Sequence, residues 1–327
     1  MTALAHPNPS AAAPAPSRSS FSRYGREISV AIAYVLLLAC LAIRTPQFFR
    51  HQFFTTWVDA APILLAAIGM TLVILARQID ISIGSMFAVC AVLSGLLAKA
   101  GLPMPCVALL TVLAGAALGA INGGLIAGLG LPSIVVTLAT LVVFRQSLMW
   151  VRQGQFVNDL PHGFQWFGLS QRAGEWMLLA ISGVVFTVFA WAMRWLSAGR
   201  MVYAVGSSPE AARLAGIRPR RVVFAVFMLM GALVGLAALL NAVRSPDVDP
   251  KIGTGWELTV IAAVVVGGAA ITGGRATLLG TFIGVALLAT IAPALVFFNV
   301  PSQWEKAIQG LIILAAVATD GLRRRGN

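Results

Sequence analysis

The sequence has little charge and few of the residues that build soluble active sites. Only 10% of its 327 residues are charged, whereas about a quarter are charged in a typical soluble domain. Cysteine, histidine and lysine occur three times each. Cys40, Cys90 and Cys106 form no C-x-x-C pair, so the sequence indicates neither a disulfide framework nor a metal site.

Motifs of hydrolytic and nucleotide-binding proteins are also missing. No lysine follows a glycine, which excludes the P-loop that holds the phosphates of ATP. Neither H-E-x-x-H nor G-x-S-x-G occurs, and these are the motifs of zinc proteases and serine hydrolases. We therefore expect no catalytic site, cofactor or metal. Any uphill transport would draw its energy from a partner protein or an ion gradient.

Long apolar runs dominate the sequence instead, which is 59% hydrophobic. Runs of about 20 apolar residues can each cross about 30 Å of hydrocarbon as a helix. We predict an all-α polytopic membrane protein of about ten transmembrane helices. The predicted spans are 28–43, 57–76, 81–98, 104–121, 133–150, 176–196, 222–243, 256–271, 278–298 and 304–319.

The ends and the charge pattern give the expected orientation. Residues 1–26 are rich in Ala, Pro and Ser and predict a disordered tail, residues 27–321 form the membrane domain, and residues 322–327 are a basic tail. The net charge of +12 does not indicate nucleic-acid binding, because the basic residues lie between apolar spans. With both termini in the cytoplasm, 14 of the 23 basic residues fall on that side, as the positive-inside rule expects. Spans two to five and seven to ten would then run in opposite senses, as in an inverted repeat.

The longest polar stretch after the N-terminal tail is residues 199–221, GRMVYAVGSSPEAARLAGIRPRR. Ser207 or Ser208 can cap a short helix whose first turn holds Pro209, and Gly216 can end it. We expect this basic helix to dock a cytoplasmic partner, with small alanines that allow close contact. The alternative is a solvated connector. The expected docking residues are Pro209, Glu210, Ala211, Ala212, Arg213 and Gly216.

A second set of residues is polar although it lies in or beside apolar spans. Such residues often line a transport pathway, but each has a structural alternative. Asp80 can act as a helix N-cap, Arg145 can extend to the membrane surface, and the others can form interhelical hydrogen bonds. The expected pathway residues are Asp80, Ser82, Asn122, Thr137, Arg145 and Glu257.

Glycines recur at four-residue spacing, a pattern that lets helices approach closely in lipid. We expect each of these glycines to lie at a helix–helix contact. They are Gly115, Gly119 and Gly123, then Gly124 with Gly128, Gly231 with Gly235, and Gly280 with Gly284.

Several motifs together resemble the permeases of ribose-type ABC importers. Residues 78–85, QIDISIGS, are similar to that family's G-G-I-D-L-S-V-G-S stretch. Arg77 and Gln78 stand where the family often has two glycines. The form RQID and residues 300–304, VPSQW, look most like autoinducer-2 and rhamnose permeases. The other similar stretches are 122–126, 132–140, 144–145, 199–206, 211–217, 257–263, 266–268 and 273–274, followed by Gly280 and Gly284.

The resemblance implies a type II ABC importer-like bundle in the bacterial inner membrane, carrying a ribose-, rhamnose- or autoinducer-2-like solute. It also implies partners: a second permease copy or paralogue, a periplasmic sugar-binding protein, and a cytoplasmic ATPase with two fused nucleotide-binding domains. Residues 209–216 would then be the coupling helix. An ion-coupled secondary transporter is the alternative, for which Asp80 and Glu257 are the nearest carboxylates to an ion relay.

Overall fold

The computed structural model describes residues 25–301, 303–311 and 314. Residues 25–301 form twelve α-helices and one short 3-10 helix at Gln165–Gly168. The α-helices are α1 Gly25–Arg44, α2 Gln47–His51, α3 Phe53–Leu75, α4 Ile83–Lys99, α5 Met104–Leu129, α6 Ser133–Arg152, α7 Gln171–Trp195, α8 Ser197–Ser207, α9 Pro209–Leu214, α10 Pro219–Ala242, α11 Trp256–Val266 and α12 Leu278–Phe297.

The helices match the predicted all-α membrane architecture. In the described part, seven helices are long and apolar enough to cross a membrane, and α4 and α11 are shorter apolar helices. These nine elements coincide with the first nine predicted spans. Residues 304–311 are helical, so the tenth predicted span begins where expected, although most of it lies outside the described residues. The predictions for residues 1–24 and 322–327 also lie outside them.

Helix α3 lies at the centre of the bundle and α1 and α7 lie at its edge. The most apolar stretch of α3 is 89% buried within the protein, whereas those of α1 and α7 are 6% and 11% buried. A helix that is apolar on every side must be covered by protein or by lipid. The chain therefore covers α3 itself and leaves α1 and α7 for lipid or another subunit.

Glycines bring α5 and α10 into close contact, as the four-residue spacing predicts. A Cβ added at Gly119 would lie 3.0 Å from the carbonyl carbon of Phe227 and 3.1 Å from the Cα of Gly231. Gly115 and Gly235 approach each other in the same interface, and Gly280 and Gly284 lie against α11 in the same way. The packing prediction is wrong for Gly124 and Gly128, around which nothing in the described protein lies within 4 Å.

The end of α5 differs from the prediction. Helix α5 continues to Leu129 instead of ending near residue 121, and it stops at Gly130, which has a φ of 73°. Within the extension, Gly123 packs on Phe224 and Phe227 as an ordinary helical residue. In the loop before α7, Phe164 and Trp166 are buried in the protein. Trp166 covers Gly174 at the start of α7.

Candidate functional site

The segment between α3 and α4 is a non-helical break that carries a buried polar cluster. Asp80 Oδ1 accepts hydrogen bonds from the Ser82 backbone N–H at 2.8 Å and from the Ser82 hydroxyl at 2.6 Å. The Asn122 amide donates to the Ser82 hydroxyl at 2.8 Å. All three residues are fully buried. The break thus places one carboxylate, one hydroxyl and one amide from α5 side by side within an apolar bundle.

The structural alternative for Asp80, that it is the N-cap of α4, is wrong. Ser82 occupies that position, and Asp80 forms a turn two residues earlier by accepting from Ser82. Among the described residues, Asp80 Oδ2 and Asn122 Oδ1 have no hydrogen-bond partner. Buried polar atoms are almost always paired. The cluster therefore holds two buried acceptors that the described part of the protein leaves unpaired.

The N-terminal turn of α6 holds the other end of the break. The Ile79 N–H donates to the Ser133 hydroxyl at 3.3 Å. One turn later, the Thr137 hydroxyl donates to the Ser133 carbonyl at 2.8 Å and lies 3.4 Å from the Ile79 carbonyl. Thr137 is therefore next to the Asp80 cluster, and α6 fixes the backbone that presents Asp80.

Arg145 and Glu257 lie at the first turn of α4. The Arg145 guanidinium donates to the carbonyls of Gly84 at 2.9 Å, Ile252 at 2.9 Å and Pro250 at 3.2 Å. Its side chain therefore turns inward to tie α4 to the loop before α11, and the interpretation that it extends to the membrane surface is wrong. Glu257 lies within electrostatic range of Arg145, and its Oε2 atom is buried without a partner among the described residues.

The six predicted pathway residues thus lie in or against a single stretch, residues 79–84. Sequence reasoning missed an aromatic pair beside it. The rings of Phe87 and Trp256 lie 4.1 Å apart between centroids, and Gly253 packs closely on Gly84 and Phe87. Gly84 and Gly253 were the signal available in the sequence. A side chain at either residue would separate α4 from the loop before α11.

The polar stretch at residues 199–221 contains most of α8, all of α9 and the start of α10. The expected coupling helix, residues 209–216, corresponds to α9. The Ser208 hydroxyl accepts from the Ala211 N–H at 3.2 Å, as an N-cap does. Gly216 has a φ of 81°. The N–H groups of Gly216 and Ile217 donate to Arg213 and Ala212 respectively, which is the hydrogen-bond pattern of a glycine-terminated helix. The short helix is therefore closed at both ends by its own sequence, as predicted.

Glu210 supports the start of α9. Hydrogen bonds from its own backbone N–H and from the Ser208 hydroxyl hold the pKa of the Glu210 carboxyl below its ordinary value. An ionised carboxylate in the first turn also complements the positive end of the helix dipole. The residue therefore acts as a helix-start residue, as expected.

The face of α9 that meets solvent differs from the expected one. Ala212 is only 4% exposed and packs against its own chain, whereas Leu214 is 91% exposed. Ala211, Arg213 and Ala215 are exposed as well. The expectation that Ala212 lies on a partner-facing surface is wrong, because one face of such a short helix must cover the helices beneath it. Leu214 is the exposed apolar residue that sequence reasoning missed.

Comparison with known proteins agrees with this architecture. Residues 52–317 match the family described as "Branched-chain amino acid transport system / permease component". No solved structure gives a significant match to the chain.

Three curated relatives carry the name "Autoinducer 2 import system permease protein LsrC". That of Photorhabdus luminescens is 34% identical over 304 residues, which cover 91% of each chain. That of Escherichia coli (strain K12 / DH10B) is 33% identical over 93% of this chain and 89% of the relative. That of Salmonella typhi is 34% identical over 93% of this chain and 88% of the relative. With a family match over most of its length and full-length relatives above 30% identity, the chain belongs to this family of transport permeases, as a ribose-type ABC importer permease.

Proposed function

We propose that the chain is the inner-membrane permease of an ABC importer for autoinducer-2 or a closely related sugar-like solute. Its partners would be a periplasmic binding protein, a second permease copy or paralogue, and a cytoplasmic ATPase with two fused nucleotide-binding domains. Both termini would lie in the cytoplasm. The relatives named for autoinducer-2 import support this substrate class, since each aligns over most of its own length.

The observation that carries the ATP-coupled assignment is the outer face of α9. A six-residue helix, closed at both ends by its own sequence, presents a leucine that is 91% exposed. A single exposed leucine is ordinary on a protein surface, but this one lies on the short basic helix expected to dock a cytoplasmic partner, so it offers that partner an apolar anchor. Arg213 lies beside this leucine, within electrostatic range of Glu210, and among the described residues Arg213, Arg218 and Arg220 form no salt bridge within 4 Å. An acidic surface around an apolar pocket on the ATPase would complement this face.

The cluster around residues 79–84 supports a neutral, hydroxyl-rich solute. Within the described ranges, Asp80 Oδ2 and Asn122 Oδ1 are acceptors without partners, and the Phe87–Trp256 pair offers an apolar face nearby. Hydroxyl donors and a ring face are the groups that a sugar-like solute presents. In a single subunit these residues are buried, so the proposal requires that the site opens during the transport cycle.

A branched-chain amino acid is the second candidate, because the family description names that substrate class. A zwitterion needs a free cation and a free anion to bind its two charges. The Arg145 guanidinium already donates to three backbone carbonyls, which leaves it poorly placed to bind a carboxylate. The geometry therefore favours the neutral solute.

Replacing Leu214 tests the docking proposal. Leu214→Asp removes an apolar anchor and adds a carboxylate, and we expect capture of the ATPase to fall by about 30-fold, equivalent to about 2 kcal/mol. Leu131→Asp is the matched control, since Leu131 is an exposed leucine in the α5–α6 loop. The measurement is a pull-down at matched expression. Equal recovery of the ATPase by both variants would show that α9 is only a solvated connector.

Uptake by the reconstituted complex tests the substrate and the energy source. Uptake of labelled autoinducer-2 should exceed that of ribose, rhamnose and leucine, should require ATP inside the vesicles, and should survive an uncoupler. Uptake that an uncoupler abolishes without ATP dependence would establish the ion-coupled alternative. Preferential uptake of leucine would establish the amino-acid alternative.

A further inference from the structure

Arg77 connects the proposed ATPase-docking helix to the buried polar cluster. Its Nε donates to the carbonyl of Gly206 at 2.6 Å, and its Nη2 donates to the carbonyl of Ser207 at 2.6 Å. These are the last two residues of α8, directly before the Ser208 cap of α9. The last carbonyls of a helix lack intrahelical donors and carry its negative dipole end, so a guanidinium binds well there.

The backbone around Arg77 makes this junction tight. Gly206 packs so closely on the Leu75 carbonyl that it has no room for a Cβ, and the Gly274 N–H donates to the same carbonyl at 3.0 Å. Gly273 lies directly against Arg77. The ends of α3 and α8 and the turn before α12 therefore meet at one point, and the Arg77 side chain is the polar link between α3 and α8.

Arg77 occupies a backbone position that normally takes glycine. It has a φ of 63°. The N–H groups of Arg77 and Gln78 donate to the carbonyls of Ile74 and Val73 respectively, so Arg77 is the left-handed residue that ends α3. An L-side chain is strained in this conformation. Glycine would serve the turn better, so the arginine contributes something other than the turn, namely its two bonds to α8.

The chain that follows Arg77 continues into the buried polar cluster. Asp80 follows Arg77 by three residues, and the intervening Ile79 is held by Ser133 and Thr137 on α6. A displacement of residues 206–208 by the ATPase would therefore pull on Arg77 and on the segment that presents Asp80. We propose that Arg77 is a positioning residue that transmits movement of α8 and α9 to the Asp80–Ser82–Asn122 cluster. This inference rests on the proposed ATP-driven function.

Arg77→Gly is the sharpest variant, because it keeps the left-handed turn, relieves its strain and removes the whole side chain with both of its hydrogen bonds to α8. Arg77→Lys keeps the charge but can donate from a single atom. Arg275→Gln is the matched control, since Arg275 lies in the adjoining turn and its side chain has no hydrogen bond or ion pair within the described part. Each variant is assembled with the ATPase and binding protein in proteoliposomes. ATP hydrolysis and solute uptake are then measured together.

We expect Arg77→Gly to assemble and to hydrolyse ATP while uptake per ATP falls about tenfold, within the usual range of coupling between sites. Arg77→Lys should recover part of that ratio, and Arg275→Gln should match the wild type. An unchanged ratio in Arg77→Gly would overturn the proposal. Loss of assembly in both Arg77 variants would also overturn it, because the residue would then be purely structural. A wild-type complex without ATP-driven uptake would instead refute the proposed function.

Discussion

Replacing Gly119 by alanine tests the packing of α5 on α10. The added methyl carbon would lie 3.0 Å from the Phe227 carbonyl carbon and 3.1 Å from the Gly231 Cα. Ordinary contacts between carbon atoms are about 3.5–4.0 Å. Because the neighbours are backbone atoms, no flexible side chain can move aside. The nearest atom of all is the Phe227 carbonyl oxygen, so the two helices must move apart before the methyl group can fit.

The expected cost follows from two opposing effects. Overpacking a well-packed core costs about 1–3 kcal/mol, while replacing glycine by alanine within a helix gains up to about 1 kcal/mol. Gly124→Ala is the matched control on the same helix, because nothing in the part of the chain that the structure describes lies within 4 Å of its added Cβ. The helix-propensity gain is shared by both variants, so their difference in the free energy of unfolding isolates the packing cost. Gly119→Ala should be less stable than Gly124→Ala by about 1–3 kcal/mol.

The measurement is thermal unfolding of both purified variants in the same detergent and lipid, followed by loss of the monodisperse species. We expect the apparent Tm of Gly119→Ala to lie several degrees below that of Gly124→Ala. If both variants unfold at the same temperature, the close α5–α10 contact is absent in the folded protein and the packing argument fails.

Two further predictions concern the pathway and the topology. Asp80→Asn keeps an acceptor for Ser82 but removes the carboxylate, so uptake should fall while the complex still assembles; wild-type uptake would make Asp80 purely structural. For topology, single cysteines are placed at Gln165 and Ser208 in a background with the three native cysteines changed to alanine. Gln165 is exposed beside the buried Phe164, and its cysteine should react with an impermeant reagent in intact cells. Preferential labelling at Ser208 would reverse the proposed orientation.

Local signals in the sequence were sufficient for most of the fold and for α9. The length of the apolar runs predicted nine helices that the structure contains, because a chain in lipid must satisfy its backbone hydrogen bonds within helices. Ser208, Pro209 and Gly216 predicted the ends of α9, because helix capping depends on residues within a few positions of each other. The four-residue spacing of glycines predicted that Gly119 lies at a helix–helix contact.

Tertiary structure decided which face of each helix meets which neighbour. Spacing could not distinguish Gly119, which packs on α10, from Gly124, which packs on nothing in the described protein. Nor could it show that Ala212 is buried while Leu214 is exposed, since a helix of six residues is too short for its apolar pattern to define a face. Arg145 was identified as polar within a span, but its carbonyl partners lie 61, 105 and 107 residues away.

Sequence patterns alone predicted the membrane architecture, the short capped helix and the six polar residues in or against residues 79–84. That these six residues meet at one break, and that Arg77 reaches the end of α8, 129 residues away, follows only from the fold. The physical reason is the range of the interactions. Apolar length and capping act within one segment, whereas a buried hydrogen bond joins segments whose relative placement depends on the packing of the whole bundle.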